Sequence, residues 1–163
     1  MATDPPASLT LTPLAGEPRP LADWVTQFHL VVVVLDPFTY ESAWLIETAG
    51  RILTQYSAAD CRVGWVVAGT ADQAREFLGP WSERLLTFAD PDRTLSTACA
   101  VDTLPALLHF NTAGRLEGAA EGWSPDAWRK VTDRLSRLMS WSRPLIPVAG
   151  DPAPYEGAPA AGS

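Results

Sequence analysis

The feature that most constrains this chain is a run of seven residues, His29 to Leu35, that is apolar at every position after the first. Four consecutive valines fill its middle, and β-branched side chains favour extended backbone. A strand with one face in water alternates apolar and polar residues, so an unbroken apolar run predicts a strand buried on both faces. We expect it to end at Asp36-Pro37, because proline has no N–H to donate to a neighbouring strand.

Helical and extended segments alternate after this strand. A long helix is predicted from about Tyr40 to Tyr56, with Thr39 as its N-cap. The further predicted segments are a strand at 61–68, a helix from Thr70 to Leu78, a short strand at 84–88, a short helix at 90–99, a hairpin of strands at 105–110 and 115–119, and a helix from Ser124 to Trp141. Alternation of this kind predicts parallel strands joined by crossover helices, and the closing hairpin adds an antiparallel edge. The predicted fold class is therefore α/β, a mixed central sheet flanked by helices that ends in a β-hairpin and a C-terminal helix.

The composition of the two ends suggests three parts. Residues 1–20 form an N-terminal extension, rich in Pro, Ala and Thr, in which residues 8–14 alternate polar and apolar and are a candidate edge strand. Residues 21–142 form the folded domain. Residues 143–163 are dominated by Pro, Ala and Gly, so they bury too little apolar surface to offset their ordering entropy, and we predict a disordered tail.

Charge and cysteine content exclude several function classes. The formal net charge is -7 and no cluster of Lys and Arg occurs in the sequence, so we expect no nucleic-acid partner. Its longest apolar run is far too short to span a membrane. The two cysteines, Cys61 and Cys99, are too few and too far apart for a zinc or iron–sulfur site, and we expect no metal or other cofactor. With no secretory signal apparent, we expect a cytoplasmic protein with reduced thiols.

The segment Thr103-Leu104-Pro105-Ala106-Leu107-Leu108-His109-Phe110 carries a resemblance to a known fold family. A turn containing Gly114, a strand and an amphipathic helix follow it. This succession resembles the thioredoxin-like or redoxin superfamily, which includes peroxiredoxin-like and TlpA-like proteins and in which a cis-proline opens the corresponding strand. The resemblance covers roughly residues 21–139 and implies a thioredoxin-like fold with a cis-proline at Pro105.

The redox site of these proteins lies between the first central strand and the long helix that follows it. Placing this chain on the Cys-Gly-Pro-Cys pattern of a thioredoxin puts Thr39, Tyr40, Glu41 and Ser42 in the four positions. Placing it on a peroxiredoxin, which has Phe-Thr and two residues before its reactive cysteine, also puts Ser42 at a cysteine position but gives Thr39 no such role. Dithiol exchange needs a thiolate, which a hydroxyl cannot replace. We therefore interpret Thr39 and Ser42 as helix caps at a degenerate redox site; a hydroxyl that assists a bound glutathione thiolate is the rarer alternative.

Three functions remain open. The first is a non-catalytic module that binds a protein or peptide strand to strand in a groove beside the cis-proline. The resemblance implies that this groove, called here the Pro105 groove, is lined by Phe38, Tyr40, Thr103, Leu104, Pro105 and Trp123. The second is a redoxin-type peroxide or thiol reductase that relies on Cys99 alone, with Cys61 as a core residue. The third is a structural subunit of a larger assembly.

Overall fold

A seven-stranded sheet organises the chain in a computed structural model that describes residues 2–162. Its strands are β1 (Thr10–Pro13), β2 (Arg19–Pro20), β3 (His29–Leu35), β4 (Cys61–Val67), β5 (Leu86–Ala89), β7 (Ala106–Phe110) and β8 (Leu116–Glu121). They are arranged in the order β2-β1-β5-β4-β3-β7-β8. A separate two-stranded pair consists of β6 (Thr103–Leu104) and β9 (Ala158–Pro159). As predicted, the sheet is mixed: β3 pairs in parallel with β4 and antiparallel with β7.

Helices cover both faces of the sheet. They are α1 (Leu21–Trp24), α2 (Tyr40–Ala43), α3 (Ile46–Thr54), α4 (Ala71–Leu78), α5 (Trp81–Arg84), α6 (Thr94–Ala98) and α7 (Pro125–Met139). Two predicted helix starts are confirmed by their caps. The Thr70 hydroxyl and the Gln73 side chain form a reciprocal capping box at α4, and the Ser124 hydroxyl accepts from the Ala127 N–H ahead of Pro125 at α7.

The unbroken apolar run of β3 serves two cores, one on each face of the sheet. Val31, Val33 and Leu35 pack with side chains of α3 and α7 on one face. Leu30, Val32 and Val34 contribute to the cluster on the other face. Successive side chains of a strand point to opposite faces, so every apolar residue of the run finds a core.

The long helix predicted from Tyr40 to Tyr56 is interrupted near its start. The structure has α2 and α3 separated by Trp44 and Leu45, where the Leu45 N–H donates to the Ser42 carbonyl only three residues back. Such a tightened turn is typical of 3₁₀ geometry. It leaves Trp44 exposed while Leu45 is fully buried.

Both ends of the chain pair with strands of the folded domain more extensively than the sequence predicts. β1 lies between β2 and β5 and pairs with both, so it belongs to the main sheet. Leu9 and Leu11 are buried in the core on one face of that sheet. The tail predicted to be disordered is described as far as residue 162, and Ser163 lies outside the described residues. It runs back across the domain and includes β9, which pairs antiparallel with β6. The prediction weighed apolar burial alone, whereas backbone pairing and ionic contacts hold this segment.

Candidate functional site

The turn after β3 is built by hydrogen bonds to Asp36, Thr39 and Ser42. The Thr39 hydroxyl accepts from the Ser42 N–H at 3.4 Å, which confirms Thr39 as the N-cap of α2. The Ser42 hydroxyl accepts from the Asp36 N–H at 2.9 Å and is fully buried. Both hydroxyls therefore satisfy backbone groups of the turn after β3. Neither can perform thiol chemistry, since a hydroxyl forms no disulfide.

A buried ion pair that sequence reasoning missed lies beside this turn. Arg93 Nη2 is 3.0 Å from Asp36 Oδ2, and the Asp36 side chain is almost completely buried. Asp36 Oδ1 also accepts from the Phe38 N–H at 2.9 Å. Arg93 adopts a left-handed backbone conformation (φ 57°) immediately before α6 and also donates to the Ala160 carbonyl at 2.9 Å. Arg93 thus joins the turn after β3 to the C-terminal segment, and these residues are too far apart in sequence for spacing to predict the contact.

The backbone beside Pro105 carries an extended segment of the same chain. The Leu104–Pro105 peptide bond is cis. On the N-terminal side of this bond, Thr103 is paired with Pro159 and Leu104 with Ala158. An antiparallel bridge joins Trp123 and Tyr155, with both N–H groups donating to the opposite carbonyl, at 2.8 and 3.0 Å.

The structure divides the residues predicted for the Pro105 groove into a covered part and an open part. Leu104, Pro105 and Trp123 are buried, and Thr103 is half-buried. Trp123 packs edge-on against Trp128 in the core, and its indole N–H donates to the Pro152 carbonyl. These side chains do not line an open groove, because the core and the C-terminal segment cover them.

The open part is an aromatic patch formed by Phe38, Tyr40 and Trp44, which are 65%, 77% and 57% exposed. The rings of Tyr40 and Trp44 stack with centroids 6.3 Å apart. Tyr155 of the C-terminal segment meets Trp44 edge-on at 5.7 Å, and its hydroxyl donates to the Glu41 carbonyl. The patch is therefore continuous with the C-terminal segment that covers the rest of the Pro105 groove. The sequence analysis predicted Phe38 and Tyr40 beside the groove but not Trp44, which is exposed where the helix is interrupted between α2 and α3.

Neither cysteine has the surroundings of a reactive thiol. Cys99 is fully buried among apolar side chains on one face of the sheet, and burial raises the pKa of its thiol to about 12. Burial likewise raises the pKa of the Cys61 thiol to about 11. A reactive cysteine needs an accessible site and a lowered pKa. The candidate role of Cys99 as a catalytic thiol is therefore corrected: its side chain fills core space.

The two histidines form a pair away from the turn after β3. His29 Nδ1 and His109 Nε2 are 2.7 Å apart, and His109 is fully buried. Burial, together with His29, lowers the pKa of His109 to about 4. His29 begins β3, whereas Thr39 and Ser42 follow its other end, so the pair contributes to the sheet and not to the candidate site.

Residues 2–162 contain neither a candidate metal site nor a membrane-spanning helix. Within this range, no three His, Cys, Asp or Glu side chains are grouped so as to hold a metal ion. No helix in the described part of the chain is long and apolar enough to cross a membrane.

No family model matches the chain, and no curated protein matches it in sequence. Solved structures do match it in shape. A secreted disulfide oxidoreductase of Mycobacterium tuberculosis superposes with a TM-score of 0.59 at 15% identity, covering 81% of this chain and 97% of that chain. Peroxiredoxin Q of Xanthomonas campestris gives 0.64 at 14% identity, covering 84% and 95%. The fold is thioredoxin-like. Only two cysteines are present, and no Cys-x-x-Cys pair occurs in this thioredoxin-like chain.

A third neighbour extends over the C-terminal segment. A hypothetical protein of Sinorhizobium meliloti matches with a TM-score of 0.69 at 12% identity, and the alignment covers 100% of this chain and 95% of that chain. At such identities these likenesses establish the thioredoxin-like fold and nothing about activity.

Proposed function

We propose that this thioredoxin-fold protein does not perform dithiol–disulfide exchange and binds an extended peptide or protein segment at the Pro105 groove. One observation carries the proposal: the backbone of Thr103 and Leu104 already pairs antiparallel with an extended segment, residues Ala158–Pro159. Recognition by strand addition takes its affinity from main-chain hydrogen bonds and its specificity from pockets for alternate side chains. A groove of this kind needs no cysteine.

The aromatic patch supports the same proposal. Exposed aromatic side chains beside a groove offer large, rigid contact area at low entropic cost, and aromatic residues are over-represented among the residues that dominate binding energy. Phe38 and Tyr40 are the most exposed members of the patch. We infer that side chains of the bound segment contact these two rings while its backbone pairs beside Leu104.

The alternative function, a redoxin that depends on Cys99, is disfavoured by the burial of that thiol and its raised pKa. We expect the wild-type protein to leave the reduction of insulin by dithiothreitol at its background rate. Faster insulin precipitation in the presence of the protein would contradict the absence of dithiol exchange.

Peptide binding can be tested by selecting peptides on the full chain from a random display library and measuring their affinities by fluorescence polarisation. Phe38→Ser and Tyr40→Ser each remove an exposed ring, and loss of about 1.5 kcal/mol of apolar contact weakens binding about tenfold. Leu145→Ser is the matched control, since Leu145 is equally exposed (75%) but is not part of the patch. Selected peptides that bind the Phe38 and Tyr40 variants as tightly as wild type, or failure to select any peptide, would contradict the proposal.

A further inference from the structure

We propose that residues 155–160, called here the resident segment, occupy the Pro105 groove as a built-in competitor, and that the external ligand is an extended peptide of similar pattern that displaces them. This inference rests on the proposed function and names the ligand class and the regulation of that site.

The resident segment is held on two sides by its backbone. Tyr155 exchanges two hydrogen bonds with Trp123, and the Ala160 N–H donates to the Asp102 carbonyl at 2.9 Å. Between these points Ala158 is paired with Leu104 in the β6–β9 ladder. An external peptide that formed a strand beside Leu104 would need the same backbone groups. Its binding and the docking of the resident segment are therefore mutually exclusive.

Two glycines match the segment to the groove. Gly157 has φ +93°, and a Cβ added there would lie 2.6 Å from the Leu104 carbonyl oxygen. Gly122, on the groove side, has φ +69°, and a Cβ there would lie 2.3 Å from the Glu156 carbonyl oxygen. Contacts this short are incompatible with a side chain, and L-residues rarely adopt these positive φ values. Glycine is thus required both in the segment, at Gly157, and in the groove, at Gly122, where the two backbones meet. These two close approaches fix where the segment docks along the groove.

The side chains of the resident segment define the expected ligand. Tyr155 contacts Trp44 of the aromatic patch, Gly157 allows the close approach to Leu104, and Ala160 is buried in the core cluster that contains Leu104. Pro159 and Glu156 remain exposed. The groove therefore accepts an extended peptide with an aromatic residue, glycine two positions later and a small residue three positions after that, in the order Tyr-x-Gly-x-x-Ala.

The burial pattern indicates that the segment can leave. Only Ala160 among its six residues is buried, so most of its stabilisation comes from backbone hydrogen bonds, which water replaces when the segment undocks. The undocked segment stays close to the groove because it is covalently joined to α7, which ends at Met139. Such a tether gives a weak intramolecular ligand a high effective concentration.

The test compares three full-length proteins: wild type, Gly157→Ala and Gly150→Ala. Gly150 is a matched control because its φ of +95° is close to that of Gly157 but an added Cβ meets nothing within 4 Å. The probe is a fluorescent peptide with the sequence of residues 151–162, and a scrambled peptide controls for composition. When a competing segment closes a site for most of the time, its release raises apparent affinity by the inverse of the open fraction. We expect Gly157→Ala to bind the probe about tenfold or more tighter than wild type and Gly150→Ala.

Amide hydrogen exchange at Tyr155 and Ala160 reports docking directly, and Ala160→Asp, which places a carboxylate at a buried position, is a second releasing variant. Both amides should be protected in wild type and unprotected in Gly157→Ala and Ala160→Asp. Three results would overturn the proposal that the resident segment occupies the groove: unprotected amides in wild type, protected amides in both variants, or equal probe affinity for wild type and a released variant. None of these results would contradict the binding of library peptides. Released variants that bind neither the probe nor any library peptide would overturn both this inference and the proposed function.

Discussion

Asp151→Ala is the perturbation that most sharply separates docking of the C-terminal segment from stability of the domain. The Asp151 carboxylate accepts three hydrogen bonds, from the Thr48 hydroxyl at 2.9 Å, Arg51 Nη2 at 2.8 Å and the Val148 N–H at 2.7 Å. Its side chain is only 5% exposed, whereas that of Arg51 is 34% exposed. Alanine removes all three contacts and leaves Arg51 able to turn towards water.

Hydrogen bonds to a charged group contribute about 1.5–3 kcal/mol each. Because Arg51 is partly solvated, its ion pair with Asp151 is screened and the sum must be discounted. We expect docking of residues 145–162 to weaken by about 2–4 kcal/mol. Since 1.4 kcal/mol corresponds to a factor of ten, that loss accelerates amide exchange in the segment by about 30- to 700-fold.

Hydrogen exchange followed by NMR gives both required observations in one experiment. The amides of Tyr155 and Ala160 should exchange faster in Asp151→Ala, while the amide of Val32 in β3 should change little. Asp133→Ala is the control, because Asp133 pairs with Arg143 at the surface, where ion pairs contribute about 0–1 kcal/mol. Unchanged exchange at Tyr155 and Ala160, or equal acceleration at Val32, would refute the idea that Asp151 anchors a separately opening segment.

Three further predictions concern the core. Tyr56→Phe removes the hydrogen bond that the phenol donates to the Thr132 carbonyl and its contact at 2.7 Å with the Ser136 hydroxyl. This should lower the free energy of unfolding by about 1–2 kcal/mol in urea titration; no loss would contradict the buried network. His109 has its pKa lowered to about 4 in the fold from 6.5, so the unfolded chain binds the extra proton between these values. The contribution of uncharged His109 to the free energy of unfolding is therefore complete above pH 6.5, and about 2–3 kcal/mol of it is lost as the pH falls towards 4. In His109→Gln, the free energy of unfolding should depend less on pH over this range. Cys61 and Cys99, with pKa values raised to about 11 and 12, should not react with a disulfide reagent at pH 8 until urea unfolds the chain, and rapid labelling of the folded protein would contradict their burial.

Much of the scaffold could be predicted because local sequence and tertiary packing agree there. The apolar run of β3 required two covered faces, and the caps Thr70 and Ser124 satisfy exposed backbone N–H groups at the helix starts whatever the rest of the chain does. The positions Thr39 and Ser42 were also placed correctly at the turn after β3. Each of these signals acts over a few residues, so it is visible in sequence.

The C-terminal segment could not be predicted for the opposite reason. Its order depends on partners distant in sequence: Asp151 on Arg51, Tyr155 on Trp123 and Ala160 on Arg93. A composition rule counts apolar burial and cannot register backbone pairing with another part of the chain. The burial of Cys99 also depends on residues distant in sequence, among them Leu30 and Phe110 of the same core cluster.

The central claim is that an extended segment forms backbone hydrogen bonds beside Pro105, and scalar couplings measured across hydrogen bonds by NMR test it most directly. In the deuterated wild-type protein, we expect couplings from the Tyr155 amide to the Trp123 carbonyl and from the Ala160 amide to the Asp102 carbonyl. The β3–β7 ladder supplies the internal standard. Couplings present in that ladder but absent at Tyr155 and Ala160 would show that no extended segment is bound beside Pro105.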